Sequence, residues 1–268
     1  MTSIRKRNLL SLILFTVFFL CRLLLYFLSN SKGLILINPI LYSFVDYGVI
    51  LSPLIFSFDV KMIRTIVYIF VAILLAANTV SLINTSINTE RILINSKQRT
   101  DDVIIQIVNE GVGSEIYVYK RKYLILSELK DIMYNEGEVA FNTKMKVGWV
   151  NNNLLSITYK DNEQTVEKII EFNCIEKRYI NVLNSIKGTW KSLNGNELIV
   201  KNDDVIYKKD GKEYGYSPDY CDDQNNYSTI LYGNYSKPSI TIVKDGKGDI
   251  FIRRVSLQDT KWTEYKSA

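Results

Sequence analysis

The chain of 268 residues contains no histidine, only three cysteines, four prolines and five alanines. Without an imidazole there is no Ser-His-Asp or Cys-His triad, no HExxH zinc site and no histidine base. Catalysis would be left to carboxylate pairs, Ser-Lys dyads or a carboxylate-bound metal. No Walker loop, no GxGxxG fingerprint and no S-x-x-K in a fitting context is found. The expectation is a non-catalytic protein with no cofactor and no catalytic or metal site.

Nucleic acid is excluded by where the charge lies. The net charge is +5. Of the 33 Lys and Arg, seven lie in residues 1–83 (Arg5, Lys6, Arg7, Arg22, Lys32, Lys61, Arg64), and of the 28 acids only Asp46 and Asp59 do. The remaining 26 basic and 26 acidic residues balance, so the region after 83 offers no global basic face to a phosphate backbone. The excess belongs to the apolar part of the chain, where it reports membrane topology.

That apolar part has three stretches. Residues 9–28, LLSLILFTVFFLCRLLLYFL, form a run of about 20, the length that spans about 30 Å of hydrocarbon. Residues 34–56 form a second, with Pro39, Asp46 and Pro53 inside it. Residues 65–83 form a third. The first run is too long for a cleaved signal peptide, and no small-x-small site follows it. Basic residues at SIRKRN (3–8) and in SFDVKMIR (57–64) predict that both of these segments are cytoplasmic. The single lysine of SNSKG (29–33) suits the outside. Three crossings then put everything after about 84 outside the cytosol; a second stretch that is only re-entrant would leave it inside.

Arg22 and Asp46 are the charges inside the spans, and such residues usually face one another or a bundle interior. The predicted offset between them is roughly 8 Å along the membrane normal at 1.5 Å per residue. Side chains of a helix lean toward its own N-terminus, which brings this pair together. The reading is a structural ion pair that clips the first two segments.

After the spans the apolar pattern becomes alternating. Residues 101–108, 114–122, 138–150 and 154–159 read as strands, with 165–172 a further one. Residues 125–134 carry a helical spacing, and NNN at 151–153 reads as a hairpin turn that uses positive φ. Trp149 is assigned to the core. The stretches EGVGSEIYVYKRKYLIL (110–126) and KVGWVNNNLLSITY (146–159) resemble membrane-tethered β modules of low-GC Gram-positive bacteria. The scarcity of alanine against Asn, Ile, Lys and Tyr agrees with such a source. The resemblance implies no activity.

Residues 173–187 have apolar residues at helical spacing and read as a linker helix. From 188 to 268, turn signals recur often enough for about eight short strands and an up-and-down barrel. Its opening Gly-Thr-Trp (188–190) resembles the start of a lipocalin, which implies that Trp190 plugs one end of the barrel. The resemblance also implies a late-strand arginine, Arg253 or Arg254, packed on that tryptophan. The chain from 188 on is short for a lipocalin, and a barrel of eight strands is just wide enough for side chains to fill it. The polar loop 217–228 offers oxygen ligands at Asp219, Asp222, Asp223, Asn225 and Asn226, without the spacing of a calcium loop. Cys174 and Cys221 both fall on the outer side. A bridge between them would close about 47 residues and contribute about 4 kcal/mol in the chain-entropy model.

The expected architecture is thus a three-helix transmembrane anchor (1–83), a small antiparallel β module (88–172), a linker helix (173–187) and a lipocalin-like short β-barrel (188–268). The expected role is to present extracytoplasmic β modules that bind a protein, peptide or envelope component, as a sensor, an immunity protein or an accessory factor. The lipid bilayer is the other expected partner. A carrier of a small apolar ligand is the alternative, and an envelope enzyme using carboxylates alone is a third. An apolar cavity inside the barrel favours the carrier, convergent carboxylates favour the enzyme, and a filled barrel favours the binding module.

Overall fold

A computed structural model describes residues 3–38, 40–95, 102–111, 113–140, 143–162, 164–172, 181–225, 227–234, 236–245, 248–259 and 261–268. The chain divides into two compact units, the first within residues 1–134 and the second essentially 135–268. The division falls inside the stretch 88–172 that the sequence presents as one β module.

The first unit opens with helix α1 (Ser3–Lys32), followed by strand β1 (Leu34–Leu36), helix α2 (Ile40–Leu51), a 3-10 turn (Ser52–Ile55) and helix α3 (Lys61–Asn88). Helices α1 and α3 are both long and apolar enough to cross a membrane, and almost none of their side chains are buried. At 1.5 Å per residue each is more than 40 Å long, about ten more than a hydrocarbon core needs. Residues 34–56, expected as the second of three spans, do not form one long helix. Pro53 fits the break after α2: proline cannot donate to a helix interior but suits a first turn. It sits in the first turn of the 3-10 segment, and α2 itself runs only from Ile40 to Leu51.

The interrupted segment nevertheless runs antiparallel along α1. Ser11 Oγ donates to the Ser52 carbonyl at 2.6 Å, and Ser57 N donates to Asn8 Oδ1 at 2.7 Å. Where the helices cross, a Cβ at Gly48 would come within 2.4 Å of the Phe18 ring, so the contact depends on a missing side chain. Helix α2 meets α3 through Tyr47 Oη and Thr79 Oγ1, 2.8 Å apart.

Strands β2 (Thr89–Ile94), β3 (Val103–Glu110), β4 (Gly113–Arg121) and β5 (Leu126–Asn135) complete the unit. They form one five-stranded sheet in the order β1-β5-β4-β3-β2. Helix α1 enters this sheet through Gly33, and α3 runs into it directly, so both long helices end at the same sheet, at its two edges. The sheet is curled enough that Arg91, on one edge strand, donates through Nη1 to the carbonyl of Ile37, just past the other. Residues 125–134, whose spacing suggests a helix, fall almost wholly in strand β5. Their register against Leu34–Leu36 and their pairing with β4 override a local preference that is weak in any case.

The second unit contains two sheets. Strands β6 (Met145–Trp149), β7 (Leu154–Asp161) and β8 (Gln164–Glu171) form the smaller. The turn 151–153 is a hairpin, but Asn151 holds it by accepting from the amides of Asn153 and Leu154 rather than by positive φ. A short helix α4 (Val182–Ser185) precedes the larger sheet; most of the expected linker helix lies outside the described residues. The strands that follow are β9 (Gly188–Ser192), β10 (Glu197–Val200), β11 (Val205–Lys209), β12 (Lys212–Tyr216), β13 (Cys221–Asn225), β14 (Ser228–Leu231), β15 (Ile240–Lys244), β16 (Ile250–Arg254) and β17 (Thr263–Ser267). They form a curled, antiparallel half-barrel in the order β12-β11-β10-β9-β17-β16-β15-β14-β13.

Among the described residues the half-barrel thus has nine strands where about eight are expected, and β12 and β13 are not paired with each other. The extra strand, β13, comes from the polar stretch 217–228. Its ladder with β14 is made by backbone, and a polar edge strand is the usual protection against stray pairing.

The concave face is filled. Trp190, Leu198, Tyr207, Tyr216, Ile242, Ile252 and Tyr265 share one core with Val182, Leu183 and Ile186 from α4 and the residue after it. Gly188 adopts φ +130, a conformation open to glycine but strained for other residues, and this lets the chain turn from α4 into β9. Trp190 is buried in that core and donates from Nε1 to the Ile186 carbonyl at 2.7 Å. Replacing Trp190 with alanine is expected to cost the half-barrel about 3–5 kcal/mol. The measurement is amide hydrogen exchange: protection of the β9–β17 ladder should fall while that of α1 and α3 is unchanged.

Candidate functional site

Three polar constellations are built into the fold. The first joins α1 to α2. Arg22 Nε lies 2.9 Å from Asp46 Oδ1, with both side chains partly exposed, and the guanidinium also stands over the Tyr42 ring at 5.4 Å. Tyr42 in turn accepts from the Leu36 amide at 3.1 Å, so the pair is linked to the start of the sheet.

The second lies between the two sheets of the second unit. Strands β14, β15 and β16 are buried on both faces, because β7 and β8 cover the convex side of the half-barrel. Along β16, Ile250 and Ile252 point into the concave core. Phe251 and Arg253 point the other way, by the two-residue period of a strand. Arg253 therefore does not pack on Trp190 as the lipocalin-like reading expects. Its guanidinium lies over the Trp262 ring, with Cζ at 4.7 Å from the centroid, and forms an ion pair with Glu167 of β8. Arg253 Nη2 also donates to Ser156 Oγ at 2.7 Å and Thr158 Oγ1 at 2.6 Å, both on β7. Ser156 Oγ donates to Glu167 Oε1 at 2.5 Å, and Thr241 of β15 donates to the other carboxylate oxygen.

The two ionic side chains are 3% and 0% exposed. Burial pushes the Glu167 carboxyl above its ordinary range. The Arg253 charge and the hydroxyl donors pull it back. Such a site has no access for a substrate. It acts as a clamp that fixes one sheet on the other. Arg254, the neighbour that the lipocalin-like reading also offers, is exposed at the end of β16 and belongs to the third constellation.

That third constellation is a cleft at the rim of the half-barrel. Two adjoining cavities of about 230 and 330 Å³ share Pro238, Arg254 and Asp259. The first is bordered by the β11–β12 hairpin through Lys209, Asp210 and Lys212. Its wall is braced: Tyr216 Oη donates to the Pro238 carbonyl at 2.6 Å, and Lys237 Nζ donates to the Gly215 carbonyl at 2.8 Å. Lys237 Nζ also stands 4.8 Å over the Tyr216 ring. Burial raises the Tyr207 phenol well above its ordinary range, and its hydrogen bond with Tyr265 adds to this, so the floor of the cleft stays neutral. With three cations and two carboxylates around it, the cleft suits a polar, charge-bearing segment better than an apolar molecule.

Cys221 is partly buried against the half-barrel core, and Cys174, with it the expected bridge, lies outside the described residues. Asp222, offered as an oxygen ligand, accepts from Tyr232 Oη at 3.3 Å. The Ser156–Thr158–Glu167–Thr241 half of the buried clamp is absent from the sequence reading. The available signal is hydroxyls inside otherwise apolar strands, LLSITY and SITIVK, which mark a polar partner facing them. Comparison with protein-family models, with curated proteins and with solved structures returns no match.

Removing one partner of a buried pair leaves an uncompensated charge and costs about 3–5 kcal/mol, whereas replacing both with apolar residues is often near neutral. Arg253→Met is therefore expected to lower the stability of the second unit by that amount, and Glu167→Leu added to it to recover most of the loss. Chemical unfolding followed by tryptophan fluorescence checks both, since Trp149, Trp190 and Trp262 all lie in the second unit. Between α1 and α2, Asp46→Leu leaves Arg22 without its partner, and a loss of roughly 1–2 kcal/mol changes abundance several-fold. Immunoblots of membrane fractions should show that fall, and the charge swap Arg22→Asp with Asp46→Arg should reverse it.

Proposed function

We propose that the chain is a non-catalytic, membrane-anchored bacterial envelope protein with its N-terminus in the cytoplasm and its β units outside. There they bind a protein, peptide or envelope component. The observation that carries the topology is the shared sheet. A sheet cannot be divided by hydrocarbon, because its backbone groups would be left unpaired. Helices α1 and α3 both end at the same sheet, so in a bilayer both would cross in the same direction. Residues 34–60 would then have to cross back. Helix α2 and the 3-10 turn together reach about 26 Å, close to a hydrocarbon thickness of about 30 Å. The Ser57–Asn8 hydrogen bond at the far end of α1 agrees with that path.

Charge supports the same orientation. Arg5, Lys6 and Arg7 begin α1, and Lys61 and Arg64 begin α3, all at the end away from the sheet, where the positive-inside rule puts the cytoplasm. The filled core of the half-barrel weighs against a carrier of apolar ligands. The braced, mixed-charge rim cleft gives a binding surface for a polar segment of a partner, in a sensing, immunity or accessory role. The test of this layout is labelling with a membrane-impermeant maleimide in intact cells, in a background with Cys21, Cys174 and Cys221 replaced by serine. A cysteine at Asn194, in the β9–β10 turn, should label fully from outside, and one at Ser3 only after permeabilisation. The reverse pattern would overturn the proposal.

A further inference from the structure

The turn between β4 and β5 carries three consecutive large apolar side chains in the open: Tyr123, Leu124 and Ile125 are 57%, 81% and 51% exposed. Hairpin tips are normally polar, and a contiguous exposed apolar group marks an interaction surface. This tip is ordered by its own backbone. The amides of Lys122 and Tyr123 both donate to the Leu126 carbonyl, at 3.0 and 3.1 Å, and Arg121 Nη2 donates to the Leu124 carbonyl at 3.2 Å. These bonds fix the backbone of the tip while its side chains are left uncovered.

The position of the tip indicates what covers it. The Ile37 amide donates to the Ile125 carbonyl at 2.9 Å, and Ile37 lies three residues before the first turn of α2. Ile40, Leu41 and Phe44 in that first part of α2 are themselves exposed. The apolar surface of α2 therefore continues to the tip of the hairpin, at the level where α1 ends and α2 begins. Lys120, Arg121 and Lys122 stand immediately before the apolar residues. Arg121 is paired with Asp102 and Lys122 with Glu128, each at 3.0 Å, which keeps this basic group close beside the tip. Tyrosine flanked by Lys and Arg is the side-chain set enriched where a protein meets lipid headgroups.

We propose that Tyr123–Ile125 seats in the bilayer leaflet facing the sheet, with its apolar side chains at the headgroup–acyl boundary and the preceding cations among lipid phosphates. The inference rests on the membrane-anchor reading above. It adds a third attachment: α1 and α3 hold the two edges of the five-stranded sheet, and the hairpin holds a point between them. The tilt of the sheet on the membrane is then set rather than free.

The test uses the full-length chain with Cys21, Cys174 and Cys221 replaced by serine, reconstituted in phosphatidylcholine–phosphatidylglycerol vesicles. The variant Leu124→Cys carries an environment-sensitive fluorophore, Tyr123→Cys provides a second position, and Phe19→Cys in α1 is the reference. Both hairpin probes should emit to the blue of the free dye. Nitroxide lipids labelled near the headgroup should quench them several-fold more than aqueous iodide does. Quenching by iodide alone, with the Phe19 probe still quenched by lipid, would overturn the seat and leave the anchor standing. Shielding from both quenchers would mean that protein covers the tip, and would overturn it as well. If the Phe19 probe also escapes the lipid quencher, the anchor reading itself fails.

Discussion

Backbone hydrogen bonds set the organisation of the first unit. The residues right after α1 and the residues right after α3 are edge strands of one sheet. A sheet must lie wholly on one side of hydrocarbon, so under the proposed membrane anchoring this pairing sets one common direction for α1 and α3. The Arg22–Asp46 pair, the contact of Gly48 with Phe18 and the hydrogen bonds Ser11–Ser52 and Ser57–Asn8 then hold a short, proline-interrupted segment along α1. The same logic ties the exposed β4–β5 tip to the level of α2, because its carbonyl is bonded to the chain that enters that helix.

In the second unit the corresponding constraint is the two faces of β16. One row of its side chains fills the concave core with Ile250 and Ile252. The other presents Phe251 and Arg253 to a second sheet. A buried guanidinium demands a carboxylate and hydroxyl acceptors, and β7 and β8 supply them at Ser156, Thr158 and Glu167. Such a pair adds little net stability over apolar packing, but it penalises any other docking of the sheets, since a shift would strand a charge. The pair itself is shielded from solvent, while the charge-lined cavities lie at the rim around Arg254.

Several of these features are legible in particular residues. The long apolar runs at 9–28 and 65–83 mark α1 and α3, and Pro53 marks a break between them. The turns of the half-barrel are readable from NGN, NDD and Asp210-Gly211. Other features are not. Leu34–Leu36 reads as membrane, because three apolar residues have no period that separates a strand from a helix. Residues 125–134 have a helical spacing and become a strand because β1 and β4 are there to pair with them. A polar stretch, Cys221–Asn225, becomes an edge strand for the same reason.

What the sequence determines by itself is the sorting of segments: which are apolar enough for lipid, which alternate, where the charge excess sits, and that no imidazole chemistry exists. These follow from local composition and period. The tertiary structure alone decides partners and faces: that β1 and β2 share a sheet, that Arg253 turns away from Trp190 toward Glu167, and that β12 and β13 do not pair with each other. A strand's period of two gives it two faces but does not say what lies opposite either of them. That is settled only when residues as far apart as Glu167 and Arg253 are packed together.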